Sequence, residues 1–205
     1  CLCFLFIING ANLIDGFNGL LGIHTLIILV ILFSINLMHE SFNLAYILFY
    51  TCLLILIFLK FNFPKAQVFL GDSGAYLVGT LIAVSIIKTS ILNPSVHPFF
   101  FCVLLFYLFF EVFFSFFRKI FFARQSPLLP DNKHLHMSLY KLILKKNSSK
   151  ITSNYLVTSY INLIYFLLII PAIIFMNNGL FCRYYFFSLL IVYIFFYKTL
   201  YEKLK

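Results

Sequence analysis

Long runs of Phe, Leu and Ile, interrupted by short polar stretches, set the pattern of this chain. The apolar runs fall at roughly 20–37, 42–59, 74–92, 98–118, 153–175 and 180–197. Each is close to the ~20 residues that an α-helix needs to cross a bilayer. Helices are the expected spanning element, because lipid offers no partner to an unpaired backbone N–H or C=O. The strands of a membrane barrel would be shorter and would alternate apolar with polar, whereas these runs are continuous. The pattern predicts an all-α fold: a polytopic helical membrane bundle of about six full spans, with residues 1–8 as the end of a seventh. The chain opens at Cys1 inside an apolar run and reads as a piece that lacks its N-terminal part. A signal-peptide core would show a basic n-region and a small-residue cleavage site, and neither is present. The whole of 1–205 reads as one membrane domain with a cytoplasmic loop at 119–152, and the polar segment 145–154, which overlaps its end, is expected to be mobile.

Composition agrees with the pattern. The chain is 63% hydrophobic and 10% charged, against about 25% charged in soluble domains. Its net charge of +9 would raise the question of nucleic acid in a soluble protein. Here the distribution decides otherwise, and no nucleic-acid partner is expected. Of fifteen Lys and Arg, only Lys88 and Arg183 fall outside one alternating set of loops and ends, which holds Lys60, Lys65, Arg118, Lys119, Arg124, Lys133, Lys141, Lys145, Lys146, Lys150, Lys198, Lys203 and Lys205. By the positive-inside rule that set faces the cytoplasm of a plasma (inner) membrane. The five cysteines lie in or beside apolar runs without metal-ligand spacing and read as buried thiols.

Against this background the few acids stand out. Asn9 to Leu20 is polar and turn-rich, with Asn12, Asp15, Gly16, Asn18 and Gly19 together. Asn12 and Asp15 share a side if the segment is a helical turn. Carboxylate, amides and glycines together suit a hard cation or a nucleotide, and Mg²⁺ takes oxygen ligands while keeping substrate phosphates in its shell. The alternative is an ordinary Asn/Asp-Gly turn. A second island, Phe69-Leu70-Gly71-Asp72-Ser73-Gly74, opens a span. Asp72 could cap that helix or hold a metal at a phosphate-attracting N-terminus. A third stretch, Ser126 to His136, puts His134 and His136 two apart in a basic loop, either solvated or contacting phosphate. Glu111 is the only acid inside an apolar run. An ionisable group there is costly and is usually paired or functional. His24 and His97 read as interfacial.

In order and content, the three motifs resemble the polyprenyl-phosphate N-acetylhexosamine-1-phosphate transferases, the membrane family of the MraY, WecA and TagO types. Asn12 to Leu20 matches Asn-x-x-Asp-Gly-x-Asn-Gly-Leu. Phe69 to Gly74 matches Phe-x-Gly-Asp-x-Gly, with Ala75 where Ser is usual. Ser126 to His136 matches a late Ser-Pro-x-x-Pro-Asp-x-x-His-x-His, the WecA-like form. Asn132, Met137 and Leu108 stand where the family usually has Arg, His and Pro. The family's paired aspartates lie upstream of this sequence, so the resemblance implies that the piece alone is inactive.

The resemblance implies transfer of N-acetylhexosamine 1-phosphate from a UDP-sugar to polyprenyl phosphate, with release of UMP at the cytoplasmic face, in building cell-envelope glycans. Carried over position by position, it implies Asp72 and Asn12 as ligands of Mg²⁺, or of Mn²⁺ in its place. Asp72, Asp15, His134 and His136 become the catalytic set. Asn12, Asp15, Gly16, Asn18, Gly71, Asp131, Lys133 and Arg124 become substrate-binding residues. The expected partners are UDP-N-acetylhexosamine, polyprenyl phosphate, membrane lipid and a second copy in a homodimer. A transporter is the rival reading, but transporters place polar groups near the midplane and often carry inverted repeats. A non-catalytic membrane scaffold is the other.

Overall fold

The computed structural model describes residues 2–122, 126, 133–147 and 149–204. Among these the chain is helical throughout, with no strand. Helix α1 is Leu2–Ile14, α2 is Leu20–Met38, α3 is Phe42–Asn62 and α4 is Gly71–Leu92. A bent pair follows, α5 at Pro98–Leu104 and α6 at Phe106–Phe117, then a wider π-type turn at Arg118–Phe122. Helices α7 (Leu135–Lys146), α8 (Lys150–Ile174) and α9 (Gly179–Glu202) complete the chain. Among the described residues five helices are long and apolar enough to cross a membrane, and the bent pair, taken as one broken span, would bring the number to six. The protein is a multi-pass helical membrane bundle. Its large exposed apolar side chains, such as Leu54 and Ile57 on α3 and Phe195 on α9, are the surface that lipid covers.

The expected spans coincide with the helices to within a few residues, and the exceptions have physical reasons. The first polar island is not all turn, because α1 runs through Asn9-Gly10-Ala11-Asn12 to Ile14. Asn9 is accommodated in the helix by donating to the Leu5 carbonyl at 2.7 Å. The run 98–118 is broken by 71° at Leu105. At that bend the Tyr165 hydroxyl of α8 donates to the Leu104 carbonyl at 2.6 Å, supplying the partner that lipid cannot. Most of 145–154 is helical, since α7 ends at Lys146 and α8 begins at Lys150. His24, expected at the interface, does not face outward: it is fully buried in the bundle, with Nδ1 3.3 Å from Asn162 Oδ1. Cys52 and Cys182 are buried, whereas Cys102 is exposed.

Small residues set the position of α1, which packs between α4 and α6. A Cβ on Gly10 would lie 2.5 Å from the Leu108 carbonyl oxygen of α6. A Cβ on Gly79 of α4 would lie 2.8 Å from Ile8 Cα. Membrane helices associate closely where such residues let backbones approach. The loops at 39–41, 93–97 and 176–179 gather at one end, joined by Ser95 Oγ with His39 Nε2 at 3.0 Å and by the His97 N–H donating to the Met176 carbonyl at 3.0 Å. The two glycine islands and the histidine segment are at the other end.

Candidate functional site

The turn between α1 and α2 is irregular backbone at the membrane boundary, so its polar groups need partners. Three side chains on one face of α8, spaced by four, supply them. Asn154 Oδ1 accepts from the Asn18 N–H at 2.8 Å, the Thr158 hydroxyl donates to the Asn18 carbonyl at 2.8 Å, and Asn162 Nδ2 donates to the Leu20 carbonyl at 3.3 Å. Buried Asn62, at the end of α3, joins this turn to the second island. Its Oδ1 accepts from the Gly19 N–H at 2.6 Å and its Nδ2 donates to the Val68 carbonyl at 2.6 Å. Gly19 (φ 76°) and Gly71 (φ 64°) hold left-handed conformations that disfavour a side chain.

These restraints bring the two islands face to face. Asn12, Asp15, Gly16, Phe69 and Asp72 line one open pocket of about 420 Å³. The Gly71 N–H donates to Asp15 Oδ2 at 3.1 Å. Asn12 Nδ2 donates to the Tyr76 hydroxyl at 3.3 Å. That bond uses the amide's nitrogen and leaves Oδ1 as a donor for a cation. Asp72 is exposed in the first turn of α4, and no side chain caps that helix. Its place at a helix N-terminus favours negative charge. Burial lifts the Asp15 carboxyl to about 6; the Gly71 N–H opposes the rise and the nearby Asp72 carboxylate adds to it. Two carboxylates and an amide oxygen form a hard-oxygen donor set. It fits Mg²⁺, which commonly takes one or two carboxylates and fills its shell with water and substrate phosphates. Among the described residues no cluster of three or more His, Cys, Asp or Glu is arranged to hold a metal, so the protein's share here is these few oxygens.

The other expected site residues lie elsewhere. Asn18 is buried outside the pocket, its amide donating to the Pro64 carbonyl at 2.9 Å. His134 and His136 are buried against Glu111 of α6: His134 Nδ1 is 3.1 Å from Oε2 and His136 Nδ1 is 3.6 Å from Oε1. Their rings are stacked, with centroids 5.5 Å apart. Phe17 links them to the first island, its ring edge-on to His136 with centroids 5.2 Å apart. Lys133 is exposed and lines a separate basic cleft with Lys141 and Lys145. Asp131 and Arg124 lie outside the described residues.

The fold gives three further residues a place. Phe69, 48% exposed at the rim, offers an aromatic face beside the carboxylates. Asn62 joins the islands, and Glu111 holds the histidines. Of these, Glu111 was signalled by the sequence as the one acid inside an apolar run; nothing in the sequence marked Asn62.

Comparison with known proteins follows the same residues. Residues 1–90, which carry both islands, match the family described as glycosyl transferase family 4. The chain is 34% identical over 134 residues to the undecaprenyl-phosphate alpha-N-acetylglucosaminyl 1-phosphate transferase of Thermotoga maritima, covering 65% of this chain and 39% of the relative. It is 30% identical over 161 residues to the decaprenyl-phosphate N-acetylglucosaminephosphotransferase of Mycobacterium leprae, covering 66% and 39%. It is 39% identical over 75 residues to the phospho-N-acetylmuramoyl-pentapeptide-transferase of Dictyoglomus thermophilum, covering 37% and 24%. The chain thus spans at most 39% of the length of these curated relatives. No solved structure matches.

Proposed function

Because residues 1–90 match glycosyl transferase family 4, we propose that this chain belongs to that family and forms the nucleotide- and metal-facing part of a transferase. That enzyme moves N-acetylhexosamine 1-phosphate from a UDP-sugar to polyprenyl phosphate and releases UMP. The observation that carries this reading is the meeting of Asn12, Asp15 and Asp72 around one pocket at the lysine-rich end of the bundle. That end is cytoplasmic by its charge, in the inner-leaflet plane of a polyprenyl phosphate and on the side of a cytosolic nucleotide sugar.

Phosphoryl transfer asks a protein mainly for positioning and charge stabilisation. Asp72 and Asn12 would hold Mg²⁺, or Mn²⁺ in its place, with Asp15 beside them. When bound, the ion supplies charge neutralisation on the diphosphate and on the departing UMP. Gly16 and Gly71 put no side chain in the way of an approaching phosphate; a Cβ at either would meet nothing within 4 Å. Phe69 offers a nucleobase a stacking face, a contact worth about 1–3 kcal/mol per base elsewhere. Asn18 acts through the backbone, fixing the turn that carries Asp15. Lys133 supplies positive charge beyond the pocket. The apolar flanks of the bundle take the polyprenyl tail.

The test is release of UMP by membranes containing the full-length protein. UMP is expected only when a UDP-N-acetylhexosamine, polyprenyl phosphate and Mg²⁺ are all present. UMP formation that does not need the lipid phosphate, or uptake of a solute without UMP release, would contradict the reading.

A further inference from the structure

Glu111 sits in the apolar helix α6 and is 1% exposed. A carboxylate at such a position is retained only where partners compensate its lost hydration. Its partners come from outside the span. His134 precedes α7 and His136 lies in its first turn, and both direct Nδ1 at the one carboxylate, at 3.1 and 3.6 Å. Tyr107 Oη, one turn before Glu111, is 3.5 Å from the same Nδ1 of His136. The buried Tyr193 of α9 stands beside the carboxylate as well. His136 is fully buried and its Nε2 has no hydrogen-bond partner, whereas His134 keeps 6% of its surface. Phe17 packs edge-on against both His136 and Tyr140 of α7. The same contacts therefore anchor the start of α7 and brace the turn that carries Asp15.

We propose that Glu111 is the positioning residue of the histidine segment: its carboxylate engages Nδ1 of His134 and holds the buried His136 ring beside it, and so fixes the ring edge that His134 presents to substrate phosphate or sugar oxygens. This rests on the transferase reading for the identity of the substrate, but not for the clamp itself. The partner at one ring nitrogen sets where the proton resides on the other. With Nδ1 of His134 engaged by Glu111, its Nε2 is the nitrogen left to meet a ligand, while the enclosed His136 ring stacks against it. The carboxylate never touches substrate in this arrangement and acts only through the rings.

Two measurements separate the clamp from the reaction. The chain has five histidines, so ¹⁵N labelling of histidine in the detergent-solubilised chain gives a readable set of ring-nitrogen resonances. Glu111→Gln is expected to move the Nδ1 resonances of His134 and His136, assigned with His134→Asn and His136→Asn, while those of His24, His39 and His97 stay in place and report an intact fold. Unmoved His134 and His136 resonances would overturn the proposal. In the turnover assay, Glu111→Gln is expected to lower kcat roughly tenfold to a hundredfold, the usual scale for losing a group that orients a functional side chain. KM for the UDP-sugar should change by less than about threefold. Glu111→Asp, which keeps the charge, should recover part of what Gln loses. Full kcat in Glu111→Gln would also overturn the positioning role. A wild-type protein that releases no UMP would contradict the transferase reading, and the nitrogen resonances would then decide the clamp alone.

Discussion

Replacing Asp72 with asparagine is expected to lower UMP release by about two to three orders of magnitude, the range seen when one preorganised charge-stabilising group is removed from an active site. In free energy that is roughly 3–4 kcal/mol of transition-state stabilisation. The substitution keeps size and shape and removes one negative charge. Asp72 is exposed, makes no helix cap and packs in no core, so the folded protein should survive the change. The loss should therefore appear in turnover at unchanged protein yield and melting temperature. Asp15→Asn should give a smaller loss with some effect on structure, because Asp15 Oδ2 also accepts from the Gly71 N–H. Kinetics of the purified variants at saturating Mg²⁺ check both, and wild-type turnover in Asp72→Asn would remove Asp72 from the reaction.

The largest effect on stability is expected at Gly10. A methyl group there would sit 2.5 Å from the Leu108 carbonyl oxygen and 3.0 Å from its carbon. Both are backbone atoms of α6, so no rotamer change can make room. Overpacking a tight contact typically costs 1–3 kcal/mol, or roughly 2–12 °C in melting temperature for a chain of this size. Gly10→Ala should fall in that range and Gly10→Leu beyond it. Gly16→Ala, where a Cβ meets nothing within 4 Å, should melt like the wild type. Because α1 carries Asn12 and leads directly into Asp15, displacing it from α6 should also disturb the pocket. Thermal unfolding of the detergent-solubilised variants checks this series.

The spans were legible because a bilayer imposes one length and one composition on each, and 20–37 or 42–59 leaves no other reading. The bend at Leu105 was not, since 98–118 is evenly apolar and the Tyr165 hydroxyl that meets the bend comes from a helix far along the chain. Helix α7 was hidden for a different reason. It is a short surface helix inside a polar, lysine-rich stretch, with none of the length signal of a span. Of the candidate site, Asn12, Asp15, Gly16 and Asp72 could be picked from two short motifs, and the fold gathers those four into one pocket. What local spacing could not convey was the second layer. Asn62 lies just past the apolar run 42–59, and it is the amide that ties Gly19 to Val68. Asn154, Thr158 and Asn162 are polar positions within the run 153–175, and they satisfy the turn between α1 and α2. His24 looked interfacial because it lies near a span end, but it is enclosed by Tyr107, Tyr165 and Asn162. In each case the partner lies in a distant segment, and a one-dimensional pattern carries no record of it.

The central claim is that the two glycine islands form one cation- and nucleotide-facing pocket. Its most direct test is Mn²⁺ binding to the full-length protein in the presence of UMP, followed by electron paramagnetic resonance. The account predicts saturable Mn²⁺ binding that weakens at least tenfold in both Asn12→Ala and Asp72→Asn, one residue from each island. Binding of Mn²⁺ to both variants with wild-type affinity would contradict it.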